Sequence, residues 1–253
     1  MKKTPILFTP TMSTAVRDET KSQTRRPMRP QPYDDYGRLA WMFAKNRGSW
    51  GPPGGAPDPA WLARCPYGGP GDQLWVRETF VAFGRWETRF SVKKGRDEWH
   101  FVDITLDTGR QYRYGGDLPN AQRASATPTW WRRPAIFMPR AASRTQLVVT
   151  SARIERLQAI SEPDATAEGV MPYAIYGGKV ASWKGGPDFP AAHDTARGAY
   201  RDLWDSLNAE RGLSWDTNPW VWVVEFKDSR HSVLDRLVED AQALGLYDME
   251  QTR

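Results

Sequence analysis

The sequence predicts an α+β fold rich in short strands, with flanking helices and long loop insertions, and three observations carry that expectation. β-branched and aromatic residues gather in separate stretches at 73–81, 144–157 and 220–226. Apolar residues at helical spacing recur only in short blocks. Between these lie segments dense in proline and glycine, which interrupt any regular element. With 253 residues, 40% of them hydrophobic, the chain has enough material for a buried core.

Taken in order, Pro5, Ile6, Leu7 and Phe8 read as a short buried strand, and residues 11–20 as one short helix before the polar run Lys21-Ser22-Gln23-Thr24-Arg25-Arg26. Pro27 stops any helix there. Residues 31–70 turn to proline, glycine and tryptophan, which predicts a surface insertion with little regular structure. The turn Pro70-Gly71-Asp72 leads into a central strand over 73–81. Residues 89–93, 100–106 and 111–114 are spaced as a small meander with turns at Lys94-Gly95 and Thr108-Gly109, a second insertion over about 84–120. From Leu147 the stretch 144–157 alternates apolar and polar positions, as a half-buried strand does.

Ser161, with Pro163 in the first turn and Asp164 three residues on as an imperfect capping box, starts a short helix that Gly169 ends. A glycine-rich loop at 177–190 lies within a third insertion at about 172–192. Residues 195–210 carry Ala199, Leu203, Trp204 and Leu207 on one helical face, which marks core rather than chemistry. Residues 220–226 form an apolar strand in which Trp220 and Trp222 are structural, and 229–245 read as a last amphipathic helix. One domain over 1–228 and a helical tail over 229–253 follow.

No apolar run approaches the roughly 20 residues that span a bilayer, and the apolar stretch in MKKTPILFTP is too short for a secretory signal. A soluble intracellular protein with no membrane partner is expected. Cys65 stands alone, and His100, His193 and His231 lack ligand spacing, so neither metal nor cofactor is expected. The net charge is +5, and arginine supplies 26 of the 35 basic residues. Its planar fork suits phosphates and stacks on rings, which points to nucleic acid. The charge is also uneven: residues 1–30 carry seven basic against two acidic groups, and 120–160 seven against one, while 161–228 reverse the balance.

Four separated motifs, KSQTRRP (21–27), PGDQLWVRE (70–78), MPRAASR (138–144) and WDTNPWVWVVEF (215–226), occur in an order that resembles the ASCH domain, a branch of the PUA-like β-barrels. The likeness is to its long phage and prophage versions and runs from about residue 5 to 227. It implies a small mixed β-barrel carrying the three insertions, in the cytoplasm of a bacterial host cell. The leading function it implies is binding of RNA, DNA or a modified nucleoside in a pocket for a single base. The alternative it implies is an amidohydrolase for N4-acylated cytidine, with Lys21 as nucleophile or base, Thr24 polarising the amide and Glu168 as acid/base. Ser22 stands where that pattern usually has threonine, and the small hydrolases lack such large loops. Binding of a host protein through the insertions is a third reading. A ribonuclease fits less well, since no histidine pair or acidic metal cluster is evident.

Elementary chemistry leaves two roles open for each residue. Lys21 is a base if burial and the neighbouring Arg25 and Arg26 lower its pKa, and a phosphate or carbonyl grip if it stays protonated. Thr24 either polarises an amide or caps its loop. Glu168, in the last turn of its helix, meets an unfavourable macrodipole of a few tenths to about 1 kcal/mol. A cation such as Lys21 or Arg77 must offset this, or the carboxyl is raised in pKa and works as a general acid. Glu78 is a second carboxylate for the same cavity, although a strand period of two lets only one of Arg77 and Glu78 face inward. Outside the pocket, Trp130, Trp131, Arg132, Arg133, Arg140 and Arg144 combine rings with guanidiniums and form the best candidate nucleic-acid strip, the alternative being a core tryptophan with snorkelling arginines.

Overall fold

The computed structural model describes residues 1–229 except 46, 126, 177, 178, 187, 188 and 190. The helix expected over 229–245 and the tail beyond it lie outside the described residues. In chain order the strands are β1 (Lys3–Leu7), β2 (Gln23–Pro27), β3 (Tyr33–Asp35), β4 (Arg38–Ala44), β5 (Arg47–Pro53), β6 (Gln73–Arg77), β7 (Phe80–Ser91), β8 (Arg96–Asp103), β9 (Thr129–Arg133), β10 (Gln146–Arg156), β11 (Met171–Tyr176), β12 (Lys179–Lys184) and β13 (Trp220–Asp228). The α-helices are α1 (Pro10–Arg17), α2 (Glu162–Ala167) and α3 (Ala196–Asn208). The fold is α+β with mostly strands. None of the described helices is long and apolar enough to cross a membrane.

The described residues divide into two compact units, one of Met1–Ile6, Thr11–Trp75 and the described residues from Thr145 onward, the other of Leu7–Pro10 and Val76–Arg144. The first is built on a five-stranded sheet in the order β1-β6-β10-β13-β2. β10 pairs antiparallel with both β6 and β13, and β13 antiparallel with β2. Gln73 N–H donates to the Lys2 carbonyl and Phe8 N–H to the Arg77 carbonyl, so β1 and β6 advance together as a parallel pair. The sheet is therefore mixed. It is not a closed barrel: β1 and β2 end the hydrogen-bonded order.

Residues opposite one another in an antiparallel ladder share a face and successive residues alternate. Val221 and Val223 of β13 thus face one way, into a core with Leu157, Ile160, Ala165, Ala199, Tyr200, Leu203, Trp204 and Trp215 from α2, α3 and their flanks. Trp222 faces the other way and meets the Trp41 ring edge-on at 5.6 Å. Trp41 also lies 5.5 Å from Trp61. These rings explain a correction: residues 31–70 are not an irregular excursion but hold the three-stranded sheet β3-β4-β5 and a 3₁₀ turn at Pro59–Arg64, because Trp41 and Trp61 bury against each other and Trp41 packs on Trp222. Likewise part of the expected loop at 172–192 is the antiparallel hairpin β11-β12.

The second unit is the sheet β8-β7-β9. The stretch 73–81, expected as one strand, breaks at Glu78 and Thr79 into β6 and β7. Of the meander, the turn at Lys94-Gly95 forms, but Gln111–Tyr114 is no strand: Arg113 makes only an isolated bridge to Val81, and the third strand is β9. Phe80, Ala82, Met138 and Ala142 form its small core.

Candidate functional site

Two short segments of the first unit converge on one buried pair. After α1 the chain turns back through Glu19, which has φ 60°, and the Thr20 and Lys21 amides both donate to the Ala15 carbonyl. α2 begins at Ser161, whose hydroxyl accepts from the Asp164 amide, and stops at Glu168 with Gly169 at φ +90° in the left-handed region that favours glycine. A Cβ on Gly169 would lie 3.1 Å from the Lys21 Cβ, so the lysine stem packs directly on this glycine.

Lys21 Nζ donates to the Glu168 carbonyl at 2.7 Å and to its Oε2 at 2.9 Å, with both side chains buried. One ammonium thereby caps the end of α2 and compensates the carboxylate that the helix end disfavours. Arg25, two residues into the alternation from Gln23, is wholly buried: its Nη2 donates to Glu155 Oε2 at 3.1 Å and Asp164 Oδ2 at 2.9 Å, and its Nη1 lies 3.5 Å from Glu168 Oε1. Arg153 of β10 closes the network through Glu155, Glu225, Asp164 Oδ1 at 3.2 Å and Gln23 Oε1 at 3.3 Å. Among the described residues, Glu168 Oε1, Arg25 Nε and Nη1, and Gln23 Nε2 are buried without a hydrogen-bond partner. Glu168 Oε1 and Arg25 Nη1 still face each other as an ion pair at 3.5 Å, which leaves Arg25 Nε and Gln23 Nε2 as buried donors without a hydrogen-bond partner.

Burial pushes the Lys21 ammonium below the ordinary lysine range, more than the attraction of Glu168 restores it, and Arg26 and Arg25 push the same way. Burial also drives the Tyr200 phenol well up, with the Glu168 charge adding to it. For Asp164 burial raises the carboxyl, but Arg25 and Arg153 outweigh it and hold the group below the usual range. A pocket of about 230 Å³ opens against Lys21 and Ser22, lined also by Val16, Glu19, Phe226, Lys227 and Asp228.

Thr24 does not join Lys21 and Glu168. It pairs with Val224 on the face of β2 opposite to Gln23 and Arg25, is buried, and has no side-chain hydrogen bond among the described residues. Arg26, paired with Trp222, shares that face. The remaining candidates belong to the second unit. Arg77 Nη1 donates to the Ile136 carbonyl at 3.3 Å. Glu78 is buried and takes both nitrogens of Arg144, at 2.8 and 2.9 Å, in the bidentate geometry that suits a carboxylate. The guanidinium of Arg144 also lies 3.9 Å from the centre of the Tyr114 ring. β9 splits the strip: Trp130 and Arg132 share one face, Trp131 and Arg133 the other. Arg133 is enclosed among Trp86, Phe101 and Phe137, while Arg132 and Arg140 are exposed. Trp131 donates to the Gly84 carbonyl at 3.1 Å and packs edge-on to Trp86.

Sequence reasoning missed Gln23, Arg153, Glu155, Asp164, Tyr200 and Glu225. The signal was present for two of them, since Arg153 and Glu155 occupy alternate polar positions of β10. Asp164 was absorbed into the capping box, yet its carboxylate turns to the arginines instead. His193 Nε2 lies 2.6 Å from Asp202 Oδ2. No protein-family model, curated protein or solved structure matches the chain.

Proposed function

We propose that this chain is a PUA-like protein of the ASCH type that recognises one amide-bearing base, free or within a nucleic acid, at Lys21 and Glu168. The observation that carries the reading is the pocket of about 230 Å³ that opens against Lys21, whose buried ammonium is held by Glu168. An ammonium donor at the pocket wall, backed by a carboxylate, complements an acceptor on a base edge such as O2 or N3 of cytosine. Buried polar groups of this kind reject ligands that leave them unpaired and so give strong selectivity. The mixed five-stranded sheet is compatible with an opened form of the family's barrel, and the 230 Å³ pocket, which Lys21 lines and behind which Glu168 holds the ammonium, is below the roughly 300–1,000 Å³ of drug-sized sites and suits a single ring system.

The lowered Lys21 favours a second reading, hydrolysis of an N4-acyl group. Neutral Lys21 takes a proton from the attacking water, and the proton passes across the 2.9 Å contact to Glu168 and on to the departing amine. The carbonyl carbon gains oxygen and loses nitrogen, and the pair returns to its starting state. Thr24, on the other face, takes no part.

Thermal melts with a panel of free and N4-acylated cytidines test both. The expected result is stabilisation of about 2.7 kcal/mol at a hundredfold excess over Kd, lost in Lys21→Met and Glu168→Gln. Liberated carboxylate in the same tubes selects the hydrolase, and its absence the binding protein. A panel that leaves the melt unmoved overturns the proposal.

A further inference from the structure

Charge is not shared evenly between the two units. Residues 7–10 and 76–144 hold thirteen arginines and lysines against seven aspartates and glutamates, a surplus of six, so the whole +5 of the chain resides there. Within that unit one sheet face concentrates it. Arg113 and Arg132 both lie opposite Val81, on either side of it, and so stand abreast on one face about 10 Å apart across two strand spacings. The next row of the same face holds Phe83 opposite Trp130, packed edge-on at 5.3 Å. The Arg110 guanidinium sits 4.1 Å from the Phe83 ring centre and that of Arg113 4.3 Å from the Trp130 ring centre.

Arg110, Arg113 and Arg132 are exposed, and among the described residues none has a carboxylate partner. Glu87, further along the same face, is held by Arg85. Three like charges brought together without a counter-charge repel one another, and stacking on Phe83 and Trp130 fixes the guanidinium planes of Arg110 and Arg113 while leaving their outer sides exposed, with one Arg110 nitrogen also donating to the Thr108 carbonyl at 3.4 Å. That is a surface built for a polyanion.

We infer that this face of the β8-β7-β9 sheet binds the phosphodiester backbone of a nucleic acid, with Arg110, Arg113 and Arg132 each meeting a phosphate. The inference goes beyond the base site and stands on different residues, so failure of the Lys21 reading leaves it intact. Three neutralised phosphates on a single strand contribute about 2 to the slope of log K against log salt. The test is fluorescence anisotropy of the full chain with labelled 20-nucleotide oligouridylate and oligothymidylate from 50 mM to 1 M salt. The triple variant Arg110→Gln, Arg113→Gln, Arg132→Gln is expected to lose about 2 from the slope and about a hundredfold in affinity at 0.1 M relative to 1 M salt. The corresponding triple lysine variant keeps the slope, which separates charge from misfolding, and the two probes distinguish RNA from DNA as the source of the backbone. No binding by the unaltered chain at 50 mM salt, a slope altered by less than one, or equal losses in the glutamine and lysine variants overturns the inference.

Discussion

Replacing Lys21 with methionine tests whether burial or ion pairing dominates at this residue. The folded protein holds the lysine below its ordinary value of 10.5, so it sheds its proton in the folded chain before the unfolded one. Between the lowered value and 10.5 the unfolded chain binds more protons, and stability rises with pH at up to about 1.4 kcal/mol per pH unit. Below that window the lysine is charged in both states and the full cost of burying it is present. Methionine fills similar space but does not titrate, so the stability of the original minus that of the variant should climb as pH rises through the window. Where the lysine is charged, the variant leaves Glu168 Oε2 without its ammonium, a loss that reaches about 3–5 kcal/mol when a buried charge is stranded. Arg25 Nη1, 3.5 Å from the other carboxylate oxygen, softens it. Urea unfolding of both proteins from pH 7 to 10.5 measures the difference, in which groups common to both cancel. Parallel curves, or a difference that falls with pH, would refute the reasoning, the latter because it would show that Glu168 holds the proton on the lysine.

Arg25→Met strips three carboxylates, Glu155, Asp164 and Glu168, of one buried cation, and urea melts should show a loss of about 3–5 kcal/mol. Gly169→Ala places a side chain at φ +90° and 3.1 Å from the Lys21 Cβ. It should cost more than about 1 kcal/mol and weaken nucleoside binding by displacing the lysine, both readable from one set of ligand-dependent melts. Asp164 has its carboxyl depressed, so its contribution is present above 3.8 and is lost as pH falls through the lower folded value. Asp164→Asn should therefore be less stable at pH 7 and show a flatter acid limb below about pH 3.8, followed by circular dichroism.

Elements with one-dimensional signatures were legible in the sequence. The apolar run at 220–226, the alternation after Leu147 and the Ser161 cap became β13, β10 and α2 with small shifts of boundary. Residues 31–70 misled because proline and glycine were weighed above Trp41 and Trp61, whose burial depends on a distant partner, Trp222. At the site, Glu168's position at a helix end calls for either a cation or a raised carboxyl, and Lys21 lies against it as the cation. Thr24 is joined to them only by the resemblance to the amidohydrolases, whereas the alternation of β2 turns it to the other face. The carboxylates that surround Arg25 come from β10 and α2, 130 and 139 residues away, and no local pattern announces such a meeting.

The strand order places β13 between β10 and β2. The latest of the described strands is therefore an interior one, and β2, made nearly two hundred residues earlier, waits for it as its sheet neighbour among the described strands. During synthesis the ribosome must deliver Trp220–Asp228 before Gln23 and Arg25 can be fixed in register, so the charged network around them assembles late. The segment 76–144 has no such wait, because its three strands are contiguous in sequence. A nascent chain arrested near residue 150 should already protect the amides of β7 from exchange while those of β2 remain open.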